Sequence, residues 1–195
     1  MTSDNVNASR RRFLIGATSA IGGAGAVGIA VPFVASWTPS EKAKAAGAPV
    51  KYNLSKVEPG AMVTVEWRGQ PVYILRRTPE VLATIVDSEE LVSDPASERP
   101  QQPEYAKNEY RSIKDEYLIL VGVCTHLGCA PKFRPEAGTV SPDWKGGFFC
   151  PCHGSKFDLA GRVYKGVPAP ANLVVPPHQY LSDTVVLIGE DGESA

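Results

Sequence analysis

The chain has 195 residues, room for one ordinary domain with appendages and too little for two large ones. It is 43% hydrophobic and 21% charged, as folded proteins are, and its 17 prolines and 18 glycines imply many turns and few long helices in any soluble part. A net charge of −1 excludes a partner selected by bulk electrostatics, nucleic acid above all.

Ser9-Arg10-Arg11-Arg12-Phe13-Leu14 opens a stretch, Phe13 to Val34, without a charged residue. Paired arginines ahead of Phe-Leu and an apolar segment resemble the bacterial twin-arginine export signal, a route for proteins already folded, often with a cofactor inserted. The positive-inside rule gives the same topology, with residues 1–12 cytoplasmic and the remainder across the inner membrane. The uncharged run reaches the roughly 20 residues that span a hydrocarbon core. Its Gly, Ala and Ser suit close packing against other membrane helices. Pro32 falls near its end, and Trp37 stands where an interfacial aromatic belongs. Residues 13–38 are therefore expected as a retained transmembrane anchor. A cleaved signal peptide is the competitor, since Ala43-Lys44-Ala45 has the small-x-small form, but that site lies well past the apolar run. Residues 39–49, small-residue-rich, read as a hinge linker, leaving 50–195 as a periplasmic head.

From Val50 the pattern changes to short alternating runs. Met62–Trp67 and Val72–Leu75, separated by Arg-Gly-Gln-Pro, predict a hairpin, and Pro79 to Ile85 a short helix. Asp94 to Arg111 is polar, with several prolines, and reads as an inserted surface loop. Tyr117–Val123 predicts a buried strand, and Phe148-Phe149 a second apolar approach to a motif. Lys156–Asp158 and Arg162–Tyr164, turning through Gly161, predict another hairpin, and Thr184–Ile188 a closing strand. Many short strands with frequent turns indicate an all-β sandwich or barrel. His178 stands alone and is expected to be an ordinary surface histidine.

All four cysteines and two of the three histidines fall in two short clusters, Cys124-Thr-His126-Leu-Gly-Cys129 and Cys150-Pro-Cys152-His153-Gly-Ser155. Two loops, each offering Cys and His, can enclose a metal site. Structural zinc uses Cys₂His₂ sets, yet C-x-H is unusual spacing for it, and zinc leaves Cys129 and Cys152 unexplained. Zinc and iron–sulfur chemistry both remain open on spacing alone.

The two motifs resemble those of Rieske iron–sulfur proteins of the quinol–cytochrome c oxidoreductase type. The resemblance extends over nearly the whole chain: anchor, linker, Gly166-Val-Pro-Ala-Pro170 and the final strands. It implies an all-β fold, an antiparallel Rieske-type β-sandwich with a small cluster-binding subdomain at about 120–170, behind one N-terminal transmembrane helix. It implies one [2Fe–2S] cluster, with Cys124 and Cys150 on one iron and His126 and His153 on the other. Neutral imidazoles in place of two thiolates raise the potential. Each imidazole can release its outer N–H proton when the iron is oxidised, which couples proton to electron. Cys129 and Cys152 match the family's disulfide, plausible in an oxidising periplasm.

Around the site, Ser155 matches a serine that donates to a cluster sulfide and raises the potential. Phe157 stands where many relatives carry a tyrosine that donates to a ligand sulfur, which implies a lower potential here. Pro168 belongs to a rigid proline loop over the cluster. Leu127, beside Gly128, is an apolar tip suited to a quinol pocket. The implied function is electron transfer within a dimeric cytochrome bc complex. Quinol would hydrogen-bond His153, or next His126, in a pocket shared with cytochrome b, and the head would pass the electron to a c-type cytochrome. The chain would not catalyse the whole reaction alone. The alternatives are a Rieske subunit of another redox complex and a zinc-binding structural protein.

Overall fold

The computed structural model describes residues 7–192, so the start of the expected cytoplasmic segment and the last three residues of the expected head lie outside the described residues. The chain divides into an N-terminal unit ending at Ala45 and a C-terminal unit beginning at Ala46.

In the N-terminal unit, α1 (Ala8–Ala35) starts where the Asn7 side chain accepts from the N–H groups of Ser9 and Arg10, each at 3.1 Å. Its 28 residues extend about 42 Å. Pro32 lies within its last turn, and past Ala35 the backbone N–H of Ser36 donates back to Pro32 O. Phe13, Ile21, Ile29 and Phe33 all lie exposed, so the helix is apolar on every side and long enough to cross a membrane. Within the segment expected as linker, α2 (Glu41–Ala46) is helical, its first turn held by Ser40 Oγ accepting from Ala43 N–H.

The C-terminal unit contains β1 (Val50–Asn53), β2 (Met62–Trp67), β3 (Gln70–Arg76), α3 (Pro79–Asp87), β4 (Tyr117–Val121), β5 (Lys132–Arg134), β6 (Gly147–Phe149), β7 (Lys156–Phe157), β8 (His178–Ser182) and β9 (Val185–Ile188). Among the described residues these strands form three antiparallel sheets, ordered β1-β9-β8, β2-β3-β4 and β5-β6-β7. The middle one is the keel of the head. Successive side chains of a strand point to opposite faces. On β3 and β4 one set (Val72, Ile74, Tyr117, Ile119) packs against Val186 and Ile188 of the first sheet. The other set (Tyr73, Leu75, Leu118, Leu120) packs against Phe148, Phe157 and Leu173 on the side of the third sheet. Burial on both faces explains why β4 reads as an unbroken apolar run rather than an alternating one.

The all-β expectation stands, with adjustments in extent. The β2–β3 turn is only Arg68-Gly69, both at positive φ, so Gln70 and Pro71 belong to β3. Helix α3 runs to Asp87, capped at Thr78 Oγ1. Strands β1, β5 and β8 had no clear sequence signal, because each is short and half-exposed.

Two expectations are corrected. The segment Asp94–Arg111 is a loop, but only partly a surface one: Glu98, Arg99, Pro100, Glu104, Lys107 and Glu109 are exposed, while Asp94, Ser97, Ala106 and Arg111 are buried. Its polar groups are enclosed because they are bonded; Arg111 donates to the carbonyls of Ala160 and Gly161 and to Gln102 Oε1. Burial pushes the Arg77 and Arg111 guanidiniums down to about 10, which leaves both charged at neutral pH. His178 is not a surface histidine either. It is 2% exposed, its Nδ1–H donating to Pro176 O at 2.8 Å and its ring edge-on to Tyr105. A single polar side chain with one satisfied nitrogen packs readily between aromatic rings, and no linear pattern announces that.

Candidate metal centre

The cysteine–histidine loops leave the ends of two strands. The first follows β4, and the second caps the β6–β7 hairpin, where Phe148 pairs with Phe157 and Phe149 with Lys156. Their backbones fold alike. In each, the glycine four residues on donates to the leading cysteine's carbonyl, Gly128 to Cys124 and Gly154 to Cys150, both at 3.0 Å. In each, the leading cysteine's N–H donates to the carbonyl five residues on, Cys124 to Cys129 and Cys150 to Ser155, both at 2.8 Å. Both glycines hold positive φ, 84° and 79°, a conformation that L side chains adopt only at a cost.

This shared scaffold turns the side chains inward at the base and outward at the tip. Cys124 and Cys150 are buried free thiols. Burial pushes the Cys124 thiol up, the adjacent Cys150 sulfur pushes it further, and a hydrogen bond from Ser155 counters this in part. The His126 and His153 rings meet edge to face with centroids 4.7 Å apart. Nδ1 of His126 is buried without a hydrogen-bond partner, while the His153 side chain is exposed. Leu127, next to His126 in the first loop, is 71% exposed.

Cys129 and Cys152 form a disulfide that ties the two loops together. Their sulfurs and that of Cys150 all lie within 4.8 Å of one another. That trio is not a ligand set, because the two disulfide sulfurs are spent on each other and offer no thiolate. The remaining donors fall into a thiol pair and an imidazole pair. A buried imidazole nitrogen without a hydrogen-bond partner is costly unless it binds a metal, and with two free thiols beside it the residues fit a [2Fe–2S] group.

The neighbouring positions assemble as follows. Ser155 is fully buried rather than solvent-facing, and its Oγ accepts from Ala169 N–H at 3.0 Å. Pro168 sits in the segment that Ala169 so anchors, and Arg99 donates to Pro170 O from behind. Phe157 is fully buried in the main core and brings no hydroxyl. Sequence reasoning missed Thr125, whose Oγ1 donates to Ala171 O at 2.6 Å and so fastens the first loop to the proline segment. It also missed Asp158 and Arg162, a buried ion pair just past the second loop. A Thr between two motif residues and an Asp/Arg pair four apart were the available signals, both too common to single out.

Comparison with known proteins gives a consistent family. The family described as "Rieske [2Fe-2S] domain" matches residues 49–177. That described as "Ubiquitinol-cytochrome C reductase Fe-S subunit TAT signal" matches residues 1–40. The ubiquinol–cytochrome c reductase iron–sulfur subunit of Allochromatium vinosum is 58% identical over 100% of this chain and 95% of its own length. The subunit of the same name from Blastochloris viridis is 43% identical over 96% of this chain and 97% of its own. Among solved structures, a chain of a hyperthermophilic respiratory Complex III is 29% identical, covering 89% of this chain and 98% of that one, with a TM-score of 0.46.

Proposed function

This chain belongs to the Rieske [2Fe–2S] family, and on that premise we propose how its residues serve as the electron-transfer subunit of a ubiquinol–cytochrome c reductase. Cys124 and Cys150 would hold one iron through sulfur, and His126 and His153 the other through a ring nitrogen. When bound, the [2Fe–2S] cluster supplies a one-electron acceptor, at a potential raised by its two neutral imidazole ligands. The observation that carries this reading is the sorting of the free donors into a buried thiol pair and an outer imidazole pair on two cross-linked loops.

The chain's own residues divide the remaining work. Ser155 donates to the Cys124 sulfur and draws electron density from it, which favours the reduced state. The proline segment excludes water on the buried side, held by Thr125 and Ser155. On the open side, the outer Nε2 of His153 accepts the hydrogen bond of a quinol hydroxyl and takes up its proton. His126 is the second choice, since less of its ring is free. Leu127 supplies an apolar surface for docking against cytochrome b.

The anchor α1 sits in the bacterial inner membrane with Arg10, Arg11 and Arg12 on the cytoplasmic side and the head in the periplasm. The 39–49 segment is the tether on which the head carries the electron to a c-type cytochrome of a dimeric complex. Much of the quinol pocket belongs to the partner, so the chain alone does not turn over quinol.

The test uses membranes holding the assembled complex. Reduced with ascorbate, they should give an electron resonance signal of a mixed Cys/His [2Fe–2S] cluster, and a quinol-site inhibitor should shift it. A silent spectrum from well-assembled protein that holds zinc and no iron would instead identify a zinc site. A signal indifferent to inhibitor would remove the quinol contact.

A further inference from the structure

Just past the second loop the chain makes a tight turn from Asp158 to Arg162. The turn is closed on itself: Asp158 N–H donates to Arg162 O, Gly161 N–H donates to Asp158 O, and Asp158 Oδ1 accepts from the N–H groups of Ala160 and Arg162. Asp158 Oδ2 accepts from Arg162 Nε at 2.7 Å, in an ion pair whose side chains are each 1% exposed. The other two guanidinium nitrogens reach outside the turn. Nη1 donates to Pro95 O, and Nη2 to Ile85 O near the end of α3. One planar fork thus joins three separate segments, which a lysine ammonium cannot do with the same geometry.

The two ligand loops have different foundations. The first rises from β4, fixed in the middle sheet through β3. The second rides on the β6–β7 hairpin, and β7 ends at Phe157, next to Asp158. Helix α3 follows β3 directly in the chain, and Ile85 is buried in one core with Leu118 and Leu120 of β4, the strand beneath the first loop, as well as with Phe148 and Phe157. Arg162 is therefore a strut between the support of one ligand loop and the far end of the other.

We propose that Arg162 is a positioning residue for the metal centre, setting the offset between the Cys124/His126 loop and the Cys150/His153 loop. The proposal rests on the two-plus-two ligand reading above. A buried charge pair that merely stabilised the fold would leave the cluster's signature untouched. A strut would change it, because any shift of the hairpin moves one cysteine and one histidine relative to the others.

The experiment compares wild type, Arg162→Lys and the charge-neutral double variant Asp158→Asn/Arg162→Gln, each as the full chain in the assembled complex. Arg162→Lys keeps the charge beside Asp158 and loses the fork. The expected result is a broadened, shifted electron resonance signal and a displaced midpoint potential. Amide exchange at Cys150 and Gly154 should speed up by roughly tenfold or more, with Ile74 and Ile119 unchanged. If Arg162→Lys fails to assemble, the double variant carries the same expectation without an unpaired buried charge. Variants that assemble with wild-type signal, potential and exchange, whatever their melting temperature, overturn the proposal. A wild type without a mixed Cys/His signature removes the ligand reading, and the strut with it; a wild type with that signature and unaltered variants removes the strut alone.

Discussion

Two regions of the head, the loop tip and the β8 base, treat the same residue type in opposite ways. At the tip, His126 turns an unpartnered Nδ1 inward and His153 stands exposed, on loops held by backbone hydrogen bonds, two glycines at positive φ and a disulfide. At the base, His178 is enclosed by Tyr105 and Tyr180, with Nδ1 satisfied by Pro176 O. The tip has few apolar side chains to bury, so covalent and main-chain links shape it, and its polar atoms stay available to a ligand. The base is shaped by packing, so its polar groups are consumed internally. Availability, rather than residue type, separates a site from a core.

The strongest way to break this contrast is to cut the covalent link. The disulfide joins residues 23 apart, for which loop-closure entropy gives about 3 kcal/mol. Cys129→Ser should lower the unfolding free energy of the detergent-solubilised chain by about that amount, read from denaturant midpoints. A change below about 1 kcal/mol would mean that the tip is held by packing after all.

Much of this contrast was legible in the residues, and what was missed has a common cause. β4 was readable from its unbroken apolar run and the two cysteine–histidine clusters from their local spacing, whereas the Cys129–Cys152 pairing came from the family resemblance. His178, Arg111 and the Asp158/Arg162 pair were misread or passed over. Their burial depends on partners distant in sequence, His178 on the Tyr105 ring, Arg111 on Ala160 and Arg162 on Ile85. A polar stretch such as 94–111 looks exposed until its acceptors are known.

A second intervention sharpens the comparison from inside the tip. Phe157 is fully buried and contributes no donor to the sulfur side of the centre. Phe157→Tyr adds a hydroxyl at a position that resembles the tyrosine of many relatives. One added hydrogen bond to a ligand sulfur is worth about 1 kcal/mol, roughly 40 mV for a one-electron couple. The midpoint potential of the variant should rise by an amount of that order in a redox titration of the complex. No rise would mean that the ring's edge does not face the ligand sulfurs, and the expected low potential of this cluster would lose its cause.

The smallest effect belongs to the base and tests whether its histidine is truly consumed. Burial lowers the His178 pKa from its ordinary 6.5, outweighing the hydrogen bond to Pro176 and the Asp191 carboxylate, which act the other way. The unfolded chain therefore takes up a proton as pH falls through 6.5 while the folded chain does not. Stability from this group declines as pH drops below that value, and levels off once the lowered folded pKa is passed; above 6.5 the contribution is constant. His178→Gln removes the titration and should flatten the fall in melting temperature between about pH 7.5 and about 5.5. Baseline stability of the variant is a separate matter, fixed by how well the amide fills the pocket between the two tyrosines. Only the slope reports protonation, so an unchanged slope would show that His178 meets solvent protons as freely as an exposed residue, and the opposition between base and tip would fail at the base.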